Sequence, residues 1–164
     1  MDELAGLLSR ERRLLEVLLF KLVTARHLLA AGETRFLTWA AAEVERATER
    51  VRESELLRAA AVQRLARTAG LAEDSLTLKA LASESPQPYQ AIFEDHRQAF
   101  FALVAEIEEV TAANRNLAHR GMREVTDVLA GVDMSSRRES DLKLYGPAAS
   151  SPNAIAPARF DGAV

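Results

Sequence analysis

From residue 88 to residue 130 the chain keeps one apolar spacing without a break. Phe93, His96, Phe100, Leu103, Ile107, Val110, Asn114, Leu117, Gly121, Val125 and Val128 follow one another at steps of three or four. At that period side chains return to one face of an α-helix. At about 1.5 Å per residue, a helix from Pro88 to Ala130 would span roughly 65 Å. A compact domain of this chain length is only about 35 Å across. The helices therefore cannot close into a globule. The spacing predicts an all-α fold, an elongated antiparallel three-helix bundle or coiled coil.

Two further helices are predicted before it. The first runs from about Asp2 to Ala31, with Leu4, Leu8, Leu15, Leu18, Leu22 and Leu29 on its seam and Glu11 and Ala25 in the remaining seam positions. Leu7, Leu14, Leu19 and Phe20 widen the apolar face, as in a helix buried on more than one side. The second runs from about Thr34 to Ala69 along Leu37, Ala40, Val44, Ala47, Val51, Ser54, Ala61 and Leu65. Its small seam residues permit close helix approach. Glu43, Arg46, Glu49, Arg50, Arg52 and Glu53 alternate in sign on its outer face, the pattern of a solvated surface with helical ion pairs.

Punctuation agrees. Gly32, Gly70 and Gly131 each follow a long helical pattern, where a left-handed C′ glycine ends a helix. In the connector 71–87, residues 73–82 predict a short helix capped by Asp74 or Ser75, and the run Ser-Pro-Gln-Pro opens the last long helix. Beyond Gly131 the pattern stops. Residues 132–164 hold three of the five prolines and balanced charges, which predicts a disordered tail. The expected organisation is a helical domain over 1–131 and a tail over 132–164.

Composition narrows the function classes. The net charge of −3 argues against nucleic-acid binding, which needs a basic face. Without any cysteine, thiolate metal sites and Cys nucleophiles are excluded. The apolar run at 12–23 contains Glu16 and Lys21 and falls well short of the roughly 20 residues of a membrane span, so no membrane insertion is expected and the cytoplasm is the expected location. The residues three before His27, His96 and His119 are Thr24, Phe93 and Asn116, so the Glu-x-x-His pattern of di-iron bundles is missing. No phosphate loop or nucleophile elbow occurs. No catalytic residue, metal or cofactor is expected, and the protein is not expected to be an enzyme.

Interaction is what remains. The last helix is longer than the first, roughly 65 Å against 45 Å, so part of its stripe near residues 114–129 is left for a partner. An amphipathic helix would fit there. Self-association into a homodimer through the same stripe is the competing reading, with a structural coiled-coil adaptor as the corresponding function. Asn114 on the seam would set register at a cost in stability. The tail stretch SDLKLYGPAAS at 140–150 carries its own small apolar patch, Leu142, Leu144 and Tyr145, closed by Gly146-Pro147.

Three segments carry a resemblance. LLFKLVTARHLLAAGETRFLTWAAAEVERA at 18–47, ANRNLAHRGMREVTDVL at 113–129 and LYG at 144–146 occur in the order and spacing of the FlgN family, and the likeness covers most of residues 1–148. These are flagellar type III export chaperones for the hook–filament junction proteins. The resemblance implies a cytoplasmic, ATP-independent chaperone that keeps junction proteins soluble and delivers them to the membrane export gate. It implies substrate binding on the late third helix, here Leu117, Met122, Val125, Val128 and Leu129, and Asn114 and Gly121 on the same stripe complete the candidate surface. It implies docking to the cytoplasmic domain of the gate protein through the tail tyrosine, here Tyr145, and Leu142 and Leu144 of the same apolar patch are the candidate neighbours in that contact. Downstream of Gly146 the tail departs from the family pattern.

Overall fold

The computed structural model describes residues 1–70 and 76–144, with side chains over 1–70 and 76–131. Four helices follow in order: α1 Asp2–Ala30, α2 Thr34–Ala69, α3 Leu78–Glu84 and α4 Tyr89–Leu144. There is no strand among the described residues. Contacts divide the chain into two units, Met1–Met122 and Arg123–Val164.

The first unit is a helical bundle with two buried clusters. One joins Leu4 and Leu8 of α1 to Ala61 of α2, Leu81 of α3 and Phe93 of α4. The other joins Leu18 and Leu22 to Ala47, Val51 and Val110. The pairing fixes direction. The start of α1 meets the end of α2, so these two run antiparallel. The start of α1 also meets the start of α4, so α4 returns parallel to α1. Small residues at Ala47, Ser54 and Ala61 let the α1 and α2 backbones approach within 8 Å, whereas α4 meets α1 through long side chains.

Polar contacts repeat that register. Tyr89 Oη donates to Asp2 Oδ1 at 2.6 Å, and Arg12 reaches Asp95 at 2.8 Å. The Asp2 carboxylate raises the Tyr89 pKa above its ordinary value, first by accepting that hydrogen bond. Between α1 and α2, Lys21 pairs with Glu43 at 2.9 Å and Arg58 with the buried Glu11 at 2.7 Å. Lys21 and Arg46 together hold the Glu43 carboxyl at about 2. Arg97, with help from Gln98, does the same for Glu94. Glu43 with Arg46 and Glu49 with Arg52 form the expected ion pairs on the outer face of α2.

The helix ends follow the glycines at two of three places. After α1, Gly32 at φ 68° closes a Schellman turn. Its N–H donates to Leu29 O, and the Glu33 N–H donates to Leu28 O. Gly70 at φ 65° ends α2. Gly131 does not end α4, which runs on to Leu144. A lone glycine costs a helix about 1 kcal/mol relative to alanine, and no proline follows until Pro147. The helix also passes through Gly121 unbroken. The helix therefore continues past residue 132, where the tail was expected to start, and residues 145–164 lie outside the described residues.

Two smaller expectations are also corrected. The short helix starts at Leu78 and is capped by Thr77, whose hydroxyl accepts from Ala80 N at 3.1 Å; Asp74 and Ser75 lie outside the described residues. A threonine with extended backbone and its Oγ1 on the N3 amide is a better cap than residues set further from the turn. The last long helix starts at Tyr89, within one residue of the expected start. Phe20 is exposed, because α2 and α4 cover only the Leu18–Leu22 side of α1.

Candidate functional site

The site follows one seam along α4. Its early positions form the core: Phe93 has no exposed surface, and His96 and Val110 are buried. Phe100, Leu103 and Ile107 are half-buried between them. His96 sits against α1 beside Ser9. The Ser9 hydroxyl donates its proton to Ala5 O at 2.9 Å, so at the 3.2 Å contact His96 Nε2 is the donor and Ser9 Oγ the acceptor. That tautomer leaves Nδ1 as a bare lone pair, buried without a partner. Burial lowers the His96 pKa, Asp95 opposes that effect, and Arg12 adds a smaller lowering.

Asn114 and Leu117 are the last half-buried seam residues. Asn114 Nδ2 donates to the Leu22 carbonyl of α1 at 3.0 Å, while its Oδ1 is buried without a partner. A seam amide aimed at one backbone carbonyl specifies register more than it adds stability. Asn114 thus belongs to the bundle's internal packing.

The character of the seam then reverses. Every residue from Ala118 to Gly131 is exposed. Met122, Val125, Val128 and Leu129 are 71%, 60%, 66% and 64% exposed. A Cβ built at Gly121 or Gly131 would meet nothing within 4 Å. Exposed apolar residues recurring at helical spacing form a patch, and such patches mark interaction sites more often than scattered single residues do. Of the seven residues read as a substrate surface, the structure keeps Gly121, Met122, Val125, Val128 and Leu129 on exposed helix. It sets Asn114 and Leu117 half inside. Leu142 and Leu144 fall on the last turns of α4, and Tyr145 lies outside the described residues.

Charge order accompanies the stripe. Arg115, His119 and Arg120 precede it, Arg123 flanks its start, and Glu124 and Asp127 lie within its span. Among the described residues no group of three or more His, Asp or Glu could hold a metal ion, and no helix is long and apolar enough to cross a membrane.

Sequence reasoning missed a second apolar region. Leu78, Phe100, Phe101 and Val104 surround a groove beside α3. The signal was present: Phe101 and Val104 lie off the main seam, in a stretch too apolar for a purely solvated face. Arg58 was missed as well. A glutamate on an apolar seam needs a basic partner across the helix interface, but several arginines of α2 could have served.

In comparison with known proteins, the family model described as FlgN protein matches residues 1–153 of the chain. No curated protein and no solved structure is significantly similar to it.

Proposed function

Because the chain belongs to the FlgN family of flagellar export chaperones, we propose that its clients are the hook–filament junction proteins and that it carries them in the cytoplasm to the export gate. The family is one of chaperones and not of enzymes. The stripe from Gly121 to Leu129 takes an amphipathic helix of the client, whose apolar ridge lies along Val125, Val128 and Leu129. Leu117, half-buried at the edge of the stripe, continues it. The observation that carries this reading is the reversal of one seam, from fully buried at Phe93 to 60% exposed at Val125. Nothing in helix propensity calls for valine at an exposed position, so the spacing is best explained by a partner.

The client contact is tested by co-expression with the junction proteins of the same organism. A soluble stoichiometric complex is expected, and Val125→Asp should weaken it about tenfold or more without changing helicity. If the junction proteins ignore the wild-type chain while it associates tightly with itself, the coiled-coil adaptor reading replaces this one.

Delivery rests on Leu142, Leu144 and Tyr145. Burying one such side chain contributes roughly 1.5–3 kcal/mol. Set against the cost of ordering and association, three of them give millimolar to micromolar affinity. A weak contact suits a carrier that has to let go. Tyr145→Ala should leave the client complex intact and reduce binding to the cytoplasmic domain of the gate protein. Unchanged gate affinity would remove Tyr145 from the docking role.

A further inference from the structure

The seat of α3 shows what the bundle of the first unit accepts beside α1. α3 has only seven residues. Its Leu81 is nevertheless buried together with Leu4 and Leu8 of α1, Ala61 of α2 and Phe93 of α4. A helix therefore fits the trough between α2 and α4, with α1 as the floor. At the N-terminal end of α3 the helix stops, Leu76 still packs on the cluster, and the trough continues past it. It opens into a cleft of about 320 Å³ floored by Leu8 and Leu15 and walled by Val62, Phe100 and Val104. An adjoining apolar groove of about 390 Å³ extends from Leu78 to Phe101. Phe101 and Val104 are 70% and 45% exposed there.

The rim is charged in an ordered way. Inside the cleft, Glu11 and Arg58 neutralise each other. At the groove, Arg97 is held by Glu94. Two charges are left over: Glu55 on the α2 side and Lys79 on the α3 side. Neither has an ion-pair partner among the described residues.

From these observations we infer a second docking site, separate from the late α4 stripe. Its occupant is an amphipathic helix of the client, lying in line with α3. Its apolar ridge faces Leu15 and Phe100, a basic residue faces Glu55, and an acidic residue faces Lys79. The inference rests on the chaperone reading for the identity of the partner. Its geometry comes from α3, which already fills the neighbouring length of the same trough with the same kind of surface. The client is then held at two places, which raises the overall affinity beyond that of either contact alone.

The test uses the full chain with a photo-crosslinking phenylalanine analogue at position 101, co-expressed with the junction proteins. The expected product joins position 101 to a client segment of amphipathic helical pattern carrying both charges. Val104→Asp and Phe101→Glu should each weaken the complex about tenfold. The second change is at a position exposed enough to leave folding alone, which circular dichroism checks. Glu55→Lys should weaken the complex by a smaller factor that shrinks as salt is raised. If the complex forms but position 101 reacts only with its own chain, including the connector 71–75, or with a second copy, the site is overturned. The same holds if both substitutions bind like wild type. A complex that survives at Val104→Asp and fails at Val125→Asp removes the second site and keeps the chaperone reading. Absence of any complex with wild type removes both.

Discussion

Two stretches of α4 share one spacing and have opposite surroundings. Between Phe93 and Leu117 the three-four pattern is covered by α1, and by α2 and α3 at the buried clusters. Between Gly121 and Leu129 the same pattern faces solvent. Apolar periodicity says that a helix has a face to bury; it does not say against what. A buried Phe93 is accounted for by the fold, whereas an exposed Val125–Val128–Leu129 ridge is not. The surface we propose for the client is therefore the part of a seam that the fold leaves over.

The comparison breaks most sharply on truncation to alanine. Phe93→Ala should destabilise the protein by about 3–5 kcal/mol through the cavity it leaves, read as a fall in the urea midpoint. Val125→Ala or Val128→Ala should change it by about 0.5 kcal/mol or less while weakening the client complex. A large loss of stability from Val128→Ala would show that the late stripe is covered in the free protein.

A smaller effect is expected at the boundary between the two stretches. Asn114→Val removes the hydrogen bond to Leu22 O together with the unpartnered Oδ1, so stability should rise or stay within about 1 kcal/mol. What should be lost is definition of register, visible as broadened amide resonances along α1 and α4. A large destabilisation would mean that the amide stabilises the bundle and does not merely align it.

The smallest effect is a pH dependence within the buried stretch. The His96 pKa is lower folded than unfolded, chiefly from burial. The unfolded chain therefore binds the proton more readily. Stability from this group is complete above the ordinary histidine value of about 6.5 and is lost as pH falls from there toward the folded value. Protonation would also place a donor at Nδ1, where no acceptor stands. The urea midpoint should fall between pH 7.5 and 5.5, and His96→Leu should flatten that slope. The carboxyls of Glu43 and Glu94, lowered to about 2, act at more acid pH. Their contribution is present above about 4.5 and lost as pH falls toward 2. A slope unchanged by His96→Leu would place the titrating group elsewhere.

Much of this was legible in the chain. Leu4, Leu8, Leu18 and Leu22, then Phe93, His96 and Val110, were readable as seam residues and are buried. Gly32 and Gly70 were readable as C′ glycines because their neighbours on both sides have helical patterns of different phase. The end of α4 was not legible from Gly131, since a glycine permits a left-handed turn without requiring one. Nor was the pairing of Glu11 with Arg58, because partner choice depends on the rotation of two helices about their axes. The family resemblance pointed to the late part of α4 as the candidate site, and the structure shows residues 118–131 exposed there. The site's division at Leu117 was not legible, because burial depends on what lies opposite.

By itself the sequence determined the number and phase of the long helices, two of the turns between them and the family to which the chain belongs. These depend on local propensity and on a period that any helix of this sequence has to present. The tertiary structure alone decided which part of each stripe is covered, that α3 lies in the trough between α2 and α4, and that Asn114 is tied to α1. Those outcomes depend on distances between residues far apart in the chain, and a side chain's environment is set by the elements packed around it.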